Sequence, residues 1–214
     1  MGSREAILDR LRRERREMDH PPAWRSQRAF EDLSQRFAES LEAAGGEVHR
    51  AANLEEALEQ LEAILQQTGA QRVVVNGEPP LAQLDLAQRW PAYEWRRAGD
   101  AGDDLRAFCA GADVGVSGAD VALAETGTLV LSSGPQQSRM VTLLPPLHLA
   151  LLPASRLTTD LFTWVAQRQR DEPGGMPANV TLISGPSKTA DIEQTLAVGV
   201  HGPKRLIVFL YGDG

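Results

Sequence analysis

The sequence predicts an α/β layer fold with strands of the kind buried in a parallel sheet, preceded by an N-terminal helical arm. Three observations carry that prediction. Helix-period and strand-like segments alternate along the chain, the order that builds α/β layers. Two runs, "QRVVVN" (71–76) and "RLIVFLY" (205–211), are compact and apolar, the pattern of strands buried on both faces. The length, 214 residues, fits one domain with an appendage and can bury a core without covalent staples. The expected division is an arm over 1–28 and an α/β domain over 29–214.

The elements follow in order. Residues 4–18 read as a helix rich in Arg and Glu, with Ile7, Leu8 and Leu11 as a narrow apolar stripe. Its basic cluster of Arg10, Arg12, Arg13, Arg15 and Arg16 fits a solvated arm packing on the domain or on a neighbouring subunit of an oligomer. An acidic partner is the sharper alternative. Pro21-Pro22 ends this helix. Phe30, Leu33, Phe37 and Leu41 recur at helical spacing, and Gly45-Gly46 supplies a stop. A short strand over 47–50 follows. Asn53 and Glu56 then have capping-box spacing ahead of a helix lined by Leu54, Leu58, Leu61 and Leu65.

In the second half, 113–117 reads as a strand ending at Gly118. "VALAETGTLVLSS" (121–133) reads as two strands broken at Glu125-Thr126-Gly127. "LHLALLP" (147–153) is another strand, and Thr158 or Thr159 caps a helix over about 160–168. "EPGGMP" (172–177) reads as a mobile loop. A strand over 180–183 leads into "SGPSKT", and a helix with Asp191 near its start is expected to lead out.

Composition excludes several classes. A formal charge of −7 argues against general nucleic-acid binding. A single cysteine, Cys109, excludes an internal disulfide or a Cys-rich zinc or iron–sulfur site within the chain. Cys109 sits beside Phe108 on a helix face and reads as a small buried hydrophobe. None of the four histidines has metal-ligand spacing, and His20 and His49 read as surface residues. No apolar signal core or bilayer-length run is present, so no membrane insertion and a cytoplasmic location are expected.

Four stretches can carry chemistry. The chain has two lysines, Lys188 and Lys204, against twenty arginines, and Lys188 lies in the Gly/Pro/Ser turn Ser184-Gly185-Pro186-Ser187-Lys188-Thr189. Backbone N–H groups, hydroxyls and an ammonium there suit a small anion. The spacing is not that of a Walker loop, and an ordinary turn is the competing reading. Glu125-Thr126-Gly127-Thr128 places a carboxylate between apolar β segments. It is read either as a nucleophile, base or ligand acceptor, or as an exposed hairpin turn. Ser117 and Asp120 follow a strand, where α/β sheets gather ligands; Asp120 reads as a turn former and Ser117 stays open. His148 fits a core role as well as a catalytic one, and His201 fits a turn near a ligand cleft.

In this order, "GVSGADVALAETGTLVL", "PPLHLALLP" and "ISGPSKTADIEQTLAVGVHGPKRLIVFLYG" resemble the LUD-domain (DUF162-like) family, and more closely its lactate utilization protein C branch. The resemblance runs from about residue 29 to the C-terminus and is strongest over 113–150 and 180–212. It implies a three-layer, Rossmann-like α/β sandwich with a mostly parallel sheet, similar to the CoA-transferase and ribose-phosphate-isomerase superfamily, which also holds folate cyclo-ligases. It implies a part in oxidising L-lactate to pyruvate beside two partner subunits that carry iron–sulfur clusters, with no cofactor in this chain. Carried over to these positions, the pocket takes Glu125, Thr126, Gly127 and Thr128 from one motif. The other supplies Ser184, Gly185, Ser187, Lys188, Thr189 and Asp191. Glu125 and Lys188 are the expected catalytic residues, Ser117 joins the ligand-binding set, and His148 and His201 stand behind it. With neither clustered cysteines nor a Gly-x-Gly-x-x-Gly turn, the chain is expected to bind a small anion rather than to carry electrons. The alternative is a stand-alone acyl/CoA-transferase-like or sugar-phosphate-isomerase-like enzyme using Glu125.

Overall fold

A computed structural model describes residues 3–14, 24–100, 104–171, 177–190, 196–199 and 201–212. The chain begins with α1 (Ser3–Glu14), α2 (Leu33–Ala43), β1 (Glu47–Ala51), α3 (Leu54–Thr68) and β2 (Arg72–Val75). It continues with α4 (Leu86–Arg89), β3 (Glu94–Arg97), α5 (Leu105–Ala110), β4 (Val114–Ser117), β5 (Val121–Leu123) and β6 (Thr128–Ser132). Then come α6 (Arg139–Leu143), β7 (Leu147–Pro153), β8 (Leu157–Thr158), α7 (Leu161–Asp171), β9 (Val180–Ile183), β10 (Lys188–Ala190), β11 (Leu196–Val198) and β12 (Arg205–Tyr211).

Six strands form one all-parallel sheet in the order β1-β12-β7-β4-β2-β3. The buried strands predicted at 71–76, 147–153 and 205–211 are its β2, β7 and β12. One face of the sheet presents Val73, Val75, Val116, Leu149, Ile207 and Phe209 to α3, which contributes Leu58, Leu61 and Leu65. The capping box predicted for α3 is formed: Asn53 Oδ1 accepts the Glu56 N–H at 3.0 Å, and Glu56 Oε2 accepts the Ala52 N–H at 2.7 Å. Gly69, at φ 64°, closes the helix. Arg205 forks onto both oxygens of Glu47 at 2.9 Å each, joining β12 to the edge strand β1.

The other face carries Ala150, Leu152, Leu206, Val208 and Leu210. It is covered partly by α2, through Phe37 and Leu41, and partly by a second sheet in the order β8-β5-β6-β9. This second sheet is a finding the periodicity does not contain, because a strand's pattern says which faces are buried and not which sheet it joins. Trp164 of α7 packs on its outer side with Val121, Leu123 and Val130. Towards β2, the same face of the main sheet is covered by α5 and α6, where Val74 meets Phe108, Cys109 and Val141.

Other differences are local. Helix α7 is capped by Asp160, whose Oδ1 accepts the Thr163 N–H at 2.8 Å, rather than by Thr158, which ends β8, or Thr159. His49 is half-buried against Phe209, with ring centroids 5.5 Å apart, rather than a plain surface residue. Ile7 and Leu11 of α1 are exposed, so this chain leaves the arm's apolar stripe uncovered. The rest of the predicted first helix, Pro21-Pro22, His20 and most of the 172–177 loop lie outside the described residues. No helix among the described residues is long and apolar enough to cross a membrane.

Leu41 is fully buried where α2, the second sheet and the main sheet meet. Leu41→Ala should lower the unfolding free energy by about 2–5 kcal/mol, read as a reduced urea midpoint at unchanged m.

Candidate functional site

Both sequence motifs meet the backbone of α2. Gly127 stands at the β5–β6 hairpin tip with φ 62°, and any side chain there would run into the Leu41 backbone. The same hairpin is held by Ser40, whose Oγ lies 3.1 Å from the Ala124 carbonyl and 3.2 Å from that of Glu125, and by Arg36 Nη2 at 3.3 Å from the latter. Glu125 Oε1 pairs with Arg28 Nη1 at 3.0 Å. Gly185, at φ 131°, lets its turn approach the end of α2; a Cβ there would come within 2.8 Å of the Ala44 carbonyl oxygen. Lys188 Nζ donates to that same oxygen at 2.6 Å. A cation on the last carbonyls of a helix satisfies an orphan acceptor at its negative end. The scarce lysine therefore has a structural partner.

The helix expected with Asp191 near its start falls largely on residues 191–195, outside the described residues; on either side of them, residues 188–190 are strand β10 and residues 196–198 are strand β11, paired antiparallel. The pairing partner comes from beyond Asp191, which local periodicity cannot see. Thr189 lies within β10 opposite Ala197, and Asp191 is outside the described residues.

The motifs are also joined by hydroxyls. Thr126 Oγ1 lies 2.6 Å from Thr128 Oγ1, which lies 2.7 Å from Ser184 Oγ. Beyond Ser184 opens a cavity of about 220 Å³ against the main sheet. Ser184, Gly185, Ser187, His148, His201 and Thr142 contribute to its wall, whereas Glu125 and Lys188 do not. The structure thus brings together five of the residues singled out in the sequence and leaves the two expected catalytic residues outside the wall.

His148 is the buried end of this cavity. It is 1% exposed, and its Nε2 lies 2.8 Å from Oγ of the fully buried Ser117. The Ser117 hydroxyl also donates to the Gly118 carbonyl at 2.9 Å. A serine has one proton, so both contacts are satisfied when His148 carries its proton on Nε2 and donates it to Ser117. Nδ1 is then a bare acceptor, and it is buried without a hydrogen-bond partner. Burial holds the imidazole neutral by pushing its pKa down to about 3.

The opposite end of the sheet holds a residue that sequence reasoning passed over. From β2 the chain goes to β3 on one side, and from β3 it returns across β2 to β4 on the other. The crevice between the carboxyl ends of β2 and β4 is the topological switch point. Glu78 sits there, 5% exposed, with Oε1 accepting the Gly118 N–H at 2.7 Å. Burial pushes its pKa up to about 7, against the opposing pull of the Gly118 N–H and the Asn76 amide. Its only sequence signal is position: a carboxylate just past a buried strand, in "NGEPP". Asp120, read as a turn former, accepts the Ser132 N–H at 2.7 Å. A wider crevice of about 640 Å³ spans the carboxyl ends of β1, β12 and β7; Arg89, Arg156 and the first turn of α3 line part of it.

With the geometry established, comparison with known proteins is informative. The LUD domain profile matches residues 34–211. The chain belongs to the LUD-domain family. It is 30% identical to lactate utilization protein C of Anoxybacillus flavithermus over 97% of this chain and 96% of that protein. It is 36% identical to lactate utilization protein C of Halalkalibacterium halodurans over 70% of this chain and 66% of that one. An uncharacterized protein of Neisseria meningitidis serogroup B is 46% identical across 47% of this chain and 43% of its own length. The chain thus matches less than two thirds of the length of these last two relatives. A DUF162 family protein from Deinococcus radiodurans shares the fold, with a TM-score of 0.61 at 21% identity over 84% of this chain and 96% of that one.

Two measurements follow for this LUD domain. Glu78 holds its proton more tightly folded than unfolded, so its contribution is complete below its ordinary value of 4.5 and fades as pH rises through about 7. His148 is the reverse: its contribution is present above 6.5 and fades as pH falls towards about 3. The two slopes oppose each other between them. Glu78→Gln should expose the His148 slope, with urea stability rising from pH 4.5 to 6.5 more steeply than in the wild type, by on the order of 3 kcal/mol at most. Lys188→Ala should cost about 0.5–1 kcal/mol in the absence of any ligand, with Lys188→Arg recovering part of it, because the partner is the end of α2.

Proposed function

We propose that this LUD domain is a non-redox subunit of an L-lactate utilization system, which oxidises lactate to pyruvate in the cytoplasm. In this reading it works beside iron–sulfur partner subunits and binds a small anionic ligand in the His148 cavity. The observation that carries the reading is the end-to-end similarity to the A. flavithermus lactate utilization protein C.

The chemistry of the chain supports the non-redox part. Oxidising lactate removes two electrons. Cluster binding needs several thiolates, and the chain's one cysteine, Cys109, is buried with its thiol pKa pushed up to about 11. The electrons then belong to the partners. The cavity supports the ligand part, because Ser184 and Ser187 place hydroxyls around a space lined by neutral His148. The competing reading, an acyl/CoA-transferase-like or sugar-phosphate-isomerase-like enzyme, draws on Glu125. Its weakness is that the Glu125 carboxylate is engaged by Arg28 and lines neither the cavity nor the wider crevice.

The full-length chain, tagged in cells growing on L-lactate, should co-purify with subunits containing iron and acid-labile sulfide. Alone, it should show no lactate-oxidising turnover. Acyl-transfer or isomerase turnover by the chain alone, abolished in Glu125→Gln, would overturn the reading in favour of the enzyme. In thermal unfolding, a ligand at about a hundred times its Kd should add roughly 2.7 kcal/mol. Loss of that gain in Arg156→Ala, with retention in His148→Gln, would move the ligand out of the cavity and into the crevice.

A further inference from the structure

We infer that Phe162, Asp160, Glu125 and Arg36 form a recognition surface for an extended protein segment carrying an aromatic residue and, four positions on, an arginine, and that the chain's own residues 24–30 fill it as a releasable strap. The inference goes beyond the proposed role and rests on no part of it.

The strap reads "WRSQRAF", and its contacts alternate along the chain. Trp24 meets Phe162 edge-on, with ring centroids 4.5 Å apart. Ser26 approaches the carboxylate of Asp160, which is fully buried with the strap in place. Arg28 Nη1 pairs with Glu125 Oε1 at 3.0 Å. The Arg36 guanidinium lies 5.3 Å from the Phe30 ring centroid, and Phe30 packs against the core. Arg25, Gln27 and Ala29, between these positions, are exposed. Contacts at every second residue are how an extended chain is read along one of its faces.

The strap is held weakly and its seat is held firmly. Residues 24–30 have no regular secondary structure, none of them is buried, and among the described residues no backbone–backbone hydrogen bond ties them to the domain. Segments held only by side chains at the surface sit at the low end of local stability, and an exposed ion pair such as Arg28–Glu125 adds little. The receiving residues do not depend on the strap. The Glu125 N–H donates to the Thr159 carbonyl at 3.0 Å, and the Glu125 carbonyl accepts from Ser40 and Arg36 of α2. Asp160 caps α7, and Phe162 belongs to that helix's first turn. Release of the strap therefore leaves the seat standing, with the Glu125 carboxylate unpaired and the Phe162 ring open. A partner segment with the same spacing finds a negative charge for its arginine and a ring for its aromatic residue, the two side-chain types that dominate such contacts. The strap competes from a tether directly before α2, at an effective concentration on the order of millimolar. It is thus an autoinhibitory occupant, and an outside segment enters when the strap is weakened or drawn off.

The test uses the full chain, its Trp24→Ser/Arg28→Ser variant and a fluorescent synthetic peptide of residues 22–32. The variant should bind the peptide at least about tenfold more tightly than the wild type, because its own strap no longer competes. Carbodiimide coupling of glycine ethyl ester to Glu125, read by mass spectrometry, should rise in the variant and fall again when the peptide is added. Glu125→Arg introduced into the variant should abolish binding, and a peptide carrying Arg28→Glu should restore it. Equal or absent peptide binding in wild type and variant would overturn the inference. So would binding indifferent to Glu125→Arg, or Glu125 labelling that neither the variant nor the peptide changes. The lactate reading stands or falls separately, since it rests on the similarity to lactate utilization protein C and on the His148 cavity.

Discussion

The close approach of two turns to the backbone of α2 is the contact on which the rest of the structure depends. Gly127 and Gly185 both take left-handed φ, and both sit where a Cβ would meet helix backbone. Glycine alone meets both demands without strain. Because the helix is held at that distance, Phe37 and Leu41 reach the space between the two sheets and fill it. Lys188 then closes the helix from the second turn, and Ser40 and Arg36 grip the first. Packed interiors do not deform gradually, so the spacing of helix, hairpin and turn is fixed together. The wall of the His148 cavity, which includes Ser184 and Ser187, is placed by the same contacts.

Much of the main sheet was legible in the sequence, for a definite reason. Strands buried on both faces, such as Val73–Val75 and Leu206–Leu210, need continuous apolar runs, and runs this short and rich in β-branched residues favour strand over buried helix. The cap at Asn53 was legible because it is local. What was hidden is what depends on distant partners. β3, "EWRR", is an edge strand with charged residues, so it has no buried run to show. Helix α6, at 5 residues, is too short for a period to emerge, and α5, at 6, shows only the face that carries Phe108 and Cys109. Strand β10, at three residues, shows no pattern of its own, because its pairing depends on β11 further along the chain.

The site divides along the same line. Ser117, His148, Ser184, Ser187 and His201 could be singled out because polar residues in or beside buried strands are costly unless used. That His148 faces Ser117 could not be read from spacing, since it depends on β4 and β7 lying side by side. Glu125 and Lys188 misdirect for an instructive reason. A glycine that admits a ligand and a glycine that admits a helix backbone leave the same trace in a sequence, and so do their charged neighbours. Their partners, Arg28 and the carbonyl of Ala44, lie in the segment before β1.

The corner after β4 ties the two buried titratable groups into one arrangement. His148 donates from Nε2 to Ser117, Ser117 donates to the carbonyl of Gly118, and the N–H of Gly118 donates to Glu78. Every donor in that series points from the cavity towards the switch point. At the far end Glu78 Oε1 is acceptor to Gly118 whether the other oxygen is protonated or not. Gly118 thus uses both of its backbone groups at this corner, its N–H towards Glu78 and its carbonyl towards the Ser117 hydroxyl. The serine proton is committed to the Gly118 carbonyl, and His148 is left with Nδ1 buried and bare. A ring that looks like a buried structural histidine in isolation thereby acquires a defined hydrogen-bonding sense, set by the serine that ends β4 and the carbonyl that follows it.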